Sequence, residues 1–299
     1  MGRIGRFILD RLPYIGGLRK QVRKQGAFPA GHYHSPIPSQ EEVLTHLSSR
    51  QKADSGVPDV QVDKDGHFEL LQKFQKFYGE LPFPIQRTPD CRYYYENPSY
   101  SYGDAIFLYS FLRNTLPRKI IEVGSGFSSA VILETADRFF PHRAEIVFIE
   151  PYPERLKALL NPQDEEKARI IERRVQEVPL DIFGGLKSGD FLFIDSSHVI
   201  KAGSDVHFLM FDVLPRLPAG VFVHFHDMFY PFEYPAEWLL SGNYWNEDYF
   251  LRAFLTGNER WRIHFFNTYA AAVFKDFLTA RMPLCLRNIG GSLYLRREK

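Results

Sequence analysis

From residue 104 onward, short runs of apolar residues alternate with segments whose apolar positions recur every three or four residues. The runs Lys119–Val123, Ile146–Glu150, Arg169–Glu172, Phe191–Asp195 and Val221–His226 are rich in Ile, Val and Phe. Short, nearly uninterrupted apolar runs of this length predict strands covered on both faces. Between them the spacing predicts helices over Ala105–Leu116, Ser128–Phe140, Pro153–Leu160, Leu180–Phe183 and Ser204–Leu214. Alternation of this kind builds a doubly wound, mostly parallel sheet. A helix near Glu247–Leu255 and two final strands, Arg260–Phe266 and Gly291–Arg297, bring the expected sheet to seven strands.

The first hundred residues have a different rhythm. Met1 to Lys24 mixes Arg3, Arg6, Arg11, Arg19, Lys20, Arg23 and Lys24 with apolar residues, interrupted by Pro13 and Gly16-Gly17. It reads either as a peripheral membrane contact or as a helix packed on its own or a partner subunit. Ser39-Gln40-Glu41-Glu42 has the form of a capping box at a short helix. Residues 48 to 64 read as a polar linker, and Phe68, Leu70, Leu71, Phe74, Phe77 and Tyr78 mark an amphipathic helix that ends before Pro82 and Pro84. Residues 1–95 are thus expected to be an accessory region with a helical cap, and residues 96–299 the α/β domain.

Composition narrows the class. A 44% hydrophobic and 24% charged chain of net charge +1 offers no general field for nucleic acid. Two cysteines, Cys91 and Cys285, form no metal or disulfide framework, which suits a cytoplasmic setting. No stretch approaches the ~20 apolar residues that span a bilayer.

The chemistry-bearing stretch is Glu122-Val123-Gly124-Ser125-Gly126, a strand running into a glycine turn that opens a helix. Glu150 ends the next strand, where a carboxylate can accept from both hydroxyls of a ribose. A dinucleotide site asks for a third glycine where Ser129 stands, which leaves an NAD-dependent oxidoreductase a distant alternative. The run instead resembles motif I of the class I S-adenosylmethionine-dependent methyltransferases, over roughly Tyr93 to Lys299, about two thirds of the chain. The resemblance implies their Rossmann-like fold, closed by an antiparallel pair of strands. It also implies a cofactor site in which Glu122 belongs to the motif, Gly124, Ser125 and Gly126 line the methionine portion, and Glu150 takes the ribose. Gln176, in Val175-Gln176-Glu177, flanks the adenine, and Asp195 completes the set.

Further residues stand at the ends of the fourth and fifth strands. Asp195, His226 and Asp227 are similar in position to the metal ligands of metal-dependent small-molecule O-methyltransferases, with His226 where an acidic residue is usual. This implies a divalent ion, Mg²⁺ or Mn²⁺, whereas a hydrogen-bonded His226–Asp227 pair would leave the site metal-free. His198, three residues after Asp195, is the expected general base, with an imidazole pKa near ~6.5; the other reading makes it a helix cap. Tyr93 to Asp104 reads as a lid or as glue beneath the cap, with Asp104 as a helix N-cap. Phe229 to Pro235 is expected to form an acceptor wall, and His32 and His34 either enter the acceptor pocket from the cap or belong to a surface loop. The expected function is O-methylation of a small or sugar-like hydroxylated acceptor, in a chain that is monomeric or a homo-oligomer. A metal-free N- or O-methyltransferase and a catalytically silent cofactor-binding module are the alternatives.

Overall fold

A computed structural model of the protein describes residues 26–50 and 56–299, so the basic segment 1–24 and part of the expected linker lie outside the described residues. Seven strands form one sheet in the order β3-β2-β1-β4-β5-β7-β6. They are β1 (Lys119–Val123), β2 (Glu145–Ile149), β3 (Ala168–Ile171), β4 (Phe191–Ile194), β5 (Phe222–His226), β6 (Trp261–Phe266) and β7 (Ser292–Arg297). The first five are mutually parallel, and β7 enters antiparallel between β5 and β6.

Alternating side chains supply two cores. Ile120, Ile146, Phe148, Phe191 and Phe193 point to one face, where the helices Tyr102–Thr115 and Phe127–Phe139 cover them. Ile121, Val123, Val147, Ile149, Leu192 and Ile194 point to the other, beneath Val206, Leu209, Val213 and Leu251. Glu122 falls on the first face, among apolar neighbours, and needs partners there.

The described residues separate into two compact units: residues 26–50 with 235–244, and residues 56–234 with 245–299. In the first, Ser39 and Glu42 form the expected reciprocal capping box at the helix Gln40–Ser49, which packs with Ala236–Leu240. The second contains the whole sheet and also the helix Lys64–Tyr78, whose Leu70, Leu71 and Phe74 enter the same core as Phe107 and Leu108. The boundary expected at residue 95 therefore falls inside this unit.

Element ends differ from expectation where local chemistry intervenes. The helix expected over Ser204–Leu214 is α-helical only at Asp205–Phe208, then widens into a π turn over Leu209–Val213 and tightens at Leu214–Arg216. Pro215 has no N–H to donate, so the α pattern cannot continue through it. Two helices after β6, Asn267–Val273 and Lys275–Arg281, were not expected.

Candidate active site

Strand order reverses between β1 and β4, and the carboxyl ends of these strands open a crevice of the kind in which α/β sheets hold ligands. Gly124 lines it. Its φ is +80°, and an added Cβ would stand 2.0 Å from the carbonyl oxygen of Asp195. Only glycine suits that turn. The N–H of Gly124 donates to Ile149 O at 3.1 Å, and that of Asp195 to Val123 O at 2.8 Å. Ser125 N–H donates to Oε2 of Glu150 at 3.0 Å, and Tyr152 N–H to Oε1 at 2.8 Å, so the turn and the Glu150 carboxylate are in contact. Gly126 N–H donates to Ser129 Oγ at 2.9 Å. The hydroxyl of Ser125 is buried and makes no hydrogen bond.

Glu122 lies beneath this turn. Ser128 and Ser129 each donate a hydroxyl to it at 2.5 Å, one to each oxygen. Burial outweighs these bonds and pushes its carboxyl up to about 8. Gln176 sits in a short turn after β3 with its amide on Gly203 O at 2.9 Å.

Across the crevice, Asp195, His198, His226 and Asp227 converge at the ends of β4 and β5. Nε2 of His198 lies 3.5 Å from Asp195 Oδ1 and 3.4 Å from Asp227 Oδ2. Its Nδ1 is 3.1 Å from Oε2 of Glu247. His226 places Nδ1 3.5 Å from Asp195 and Nε2 3.5 Å from Asp104, and neither nitrogen of this buried ring completes a hydrogen bond. Imidazoles and carboxylates thus alternate from Asp104 through His226, Asp195 and His198 to Glu247. Trp245 packs against His198 with ring centroids 4.5 Å apart, and Tyr100 against His226 at 5.1 Å.

Electrostatics follow from this crowding. Burial disfavours charge on His198, but the contacts to Asp195 and Glu247 prevail and raise it to about 10. His226 is likewise raised against its burial by Asp227 and Asp195. Asp195, which burial alone would push up, is held well below the usual carboxylate range by His226 and His198. Asp227 stays above its ordinary value because burial outweighs the two imidazoles. Among the described residues, Asp195, His198 and Asp227 each offer a donor atom within 4.8 Å of the others, a mixed oxygen and nitrogen set suited to a divalent transition metal.

A family model described as a methyltransferase domain matches residues 121–228, the stretch from the glycine turn through β5. An uncharacterized protein of Archaeoglobus fulgidus is 30% identical over 168 residues, which span 54% of this chain and 74% of that protein. Residues 121–228 are thus a methyltransferase domain. Solved structures similar to this methyltransferase include SAH-bound PaMTH1 of Podospora anserina, at 17% identity and a TM-score of 0.44 over 89% of this chain and 99% of that one. Another is the O-methyltransferase TomG of Streptomyces achromogenes, involved in tomaymycin synthesis and solved with SAM, at 15% identity and a TM-score of 0.41 over 88% and 100%.

Several placements in the methyltransferase depart from the sequence reading. His226 and Asp227 are 3.8 Å apart and do not form a hydrogen-bonded pair. Carboxylates flank both nitrogens of His198 and raise its pKa above the ordinary imidazole value assumed from the sequence. Nor does it cap the helix that follows it, whose N-cap is Ser204; its carbonyl accepts from the N–H groups of Asn246 and Glu247, at the start of the helix Glu247–Leu255. Ser101, not Asp104, holds the N-cap position of Tyr102–Thr115. Asp104 instead accepts from Ser292 Oγ at 2.7 Å and from Asn267 Nδ2 and Gly291 N at 3.1 Å. Tyr93, Tyr95, Tyr100 and Tyr102 are buried core residues, which agrees with the reading of this segment as glue and not with the lid. Sequence reasoning missed Glu247 and the role of Asp104 beside His226; the acidic start of a helix was the only signal at Glu247.

Proposed function

We propose that this methyltransferase moves the methyl group of S-adenosylmethionine to a hydroxyl oxygen of a small or sugar-like acceptor, assisted by a divalent cation. The observation that carries the reading is the convergence of Asp195, His198 and Asp227 beside the glycine turn. For the cofactor, the unpartnered Ser125 hydroxyl is a polar atom that a bound ligand would satisfy. Gly124, Ser125 and Gly126 would hold its methionine portion, Glu150 its ribose and Gln176 its adenine edge. S-adenosylmethionine supplies an activated sulfonium methyl, so alignment accounts for much of the rate gain.

The two carboxylates, Asp195 and Asp227, would hold the cation, with Nε2 of His198 beside it left uncoordinated. A divalent ion there would supply positive charge that favours neutral His198 and would lower the pKa of an acceptor hydroxyl. His198 then takes the hydroxyl proton on Nε2. The oxygen lone pair forms the new bond to the methyl carbon as the S–C bond breaks, its electron pair staying on sulfur. Trp245, packed against His198, gives that side of the site an aromatic surface, which suits a flat or sugar-like acceptor.

The test is transfer of labelled methyl to a panel of catechols and sugars, with EDTA and with Mn²⁺ or Mg²⁺ restored. Asp227→Asn is expected to lose more than ~100-fold in kcat while cofactor affinity by calorimetry stays within about threefold. Turnover indifferent to both EDTA and Asp227→Asn would sink the metal-assisted reading.

A further inference from the structure

We infer that Glu247 is a positioning residue for methyl transfer, gripping Nδ1 of His198 so that Nε2 faces Asp195 and Asp227. The inference rests on the reading of His198 as the proton acceptor. Glu247 is the first residue of the helix Glu247–Leu255, and its side chain is 2% exposed. One of its oxygens, Oε2, accepts from Nδ1 of His198 at 3.1 Å and from Ser196 Oγ at 2.6 Å. Ser196 Oγ in turn accepts the backbone N–H of His198 at 2.9 Å. The N–H groups of Asn246 and Glu247 close the loop by donating to His198 O at 3.0 and 3.2 Å.

This is not the arrangement of a helix cap, since no side chain caps this helix and the carboxylate bonds only side chains. A carboxylate in so dry a place is costly unless it is paired, and hydrophobic packing would serve stability at least as well. What the carboxylate adds is direction. His198 has left the strand ladder, with φ at +58°, so no regular structure fixes its ring. Holding one imidazole nitrogen determines what the other can do, as it does for histidines that work beside a metal or a nucleophile. The second oxygen of Glu247, buried and unbonded, leaves the grip to Oε2 alone.

The test uses the full chain labelled with ¹⁵N-histidine. In the parent the His198 Nδ1–H should give a downfield, exchange-protected resonance. In Glu247→Ala that resonance should vanish and kcat fall by about 100-fold, with S-adenosylmethionine affinity within about threefold. Should Glu247→Ala fail to fold, the isosteric Glu247→Gln decides: a kcat about tenfold down with cofactor affinity retained supports the role, and parental kcat overturns it. A resonance unchanged in Glu247→Ala, or cofactor affinity lost in step with kcat, also overturns it. Full activity of His198→Ala is a different failure, which removes the proton-acceptor reading while the resonance still reports the grip.

Discussion

Gly124 and Gly126 share a motif but not a reason. At Gly124 a side chain would collide with Asp195 O, and φ is left-handed. At Gly126 φ is 176°, and an added Cβ comes no nearer than 3.2 Å to the flexible Arg155 side chain. Calorimetric melting should therefore show Gly124→Ala destabilised by at least about 2 kcal/mol and Gly126→Ala by less than about 1 kcal/mol. Glu122 contributes a pH dependence. Its folded value of about 8 lies above the ordinary 4.5, so the folded state holds the proton more tightly than the unfolded chain. The stability this supplies is complete below about 4.5 and is lost as pH rises through about 8. Urea titrations should show Glu122→Gln gaining on the parent across that window, and a parallel pair of pH profiles would refute the assignment. The motif residues were legible because they are consecutive; Glu247 was not, because 49 residues of chain separate it from His198.

Strands were the most legible elements. β1 was expected at Lys119–Val123 and lies there, since a strand covered on both faces leaves an uninterrupted apolar signature. The helices Asn267–Val273 and Lys275–Arg281 escaped notice: each spans only two turns and has no side-chain N-cap bond. Their course is tied to the sheet by contacts no local pattern reveals, such as Asn267 with Asp104. A second long-range tie joins the segment before the helix Tyr102–Thr115 to Phe127–Phe139 and to the turn Pro162–Glu166. There Arg92, 4% exposed, meets Glu134 at 2.9 Å, Asp137 at 2.8 Å and Asp164 at 2.5 Å. Arg92→Met would leave the buried Glu134 with Arg138 alone, at 2.9 Å, and the buried Asp164 with Lys167 alone, at 3.6 Å. The expected loss is about 3–5 kcal/mol in chemical denaturation, and a loss below 1 kcal/mol would show that the acids find other partners.

For the whole molecule, the reversal of strand order brings Gly124 and Asp195 into one crevice, and the adjacent β5 adds Asp227 at the same edge. Fold class and crevice could be read from the chain because both follow from strand order and strand ends. The state of the imidazoles could not, because it depends on carboxylates delivered by other parts of the chain. Among the described residues no helix is long and apolar enough to cross a membrane. Asp227 carries a consequence for the protein's heat tolerance. It adopts φ +57° and keeps a carboxylate that burial disfavours, both at a cost to the folded state. Asp227→Gly relieves both at once, so the variant should melt above its parent, by the few degrees that ~1 kcal/mol represents. A lineage freed from catalysis would then drift toward sturdiness at this position, and a sturdier relative with glycine there is one in which to look for lost turnover.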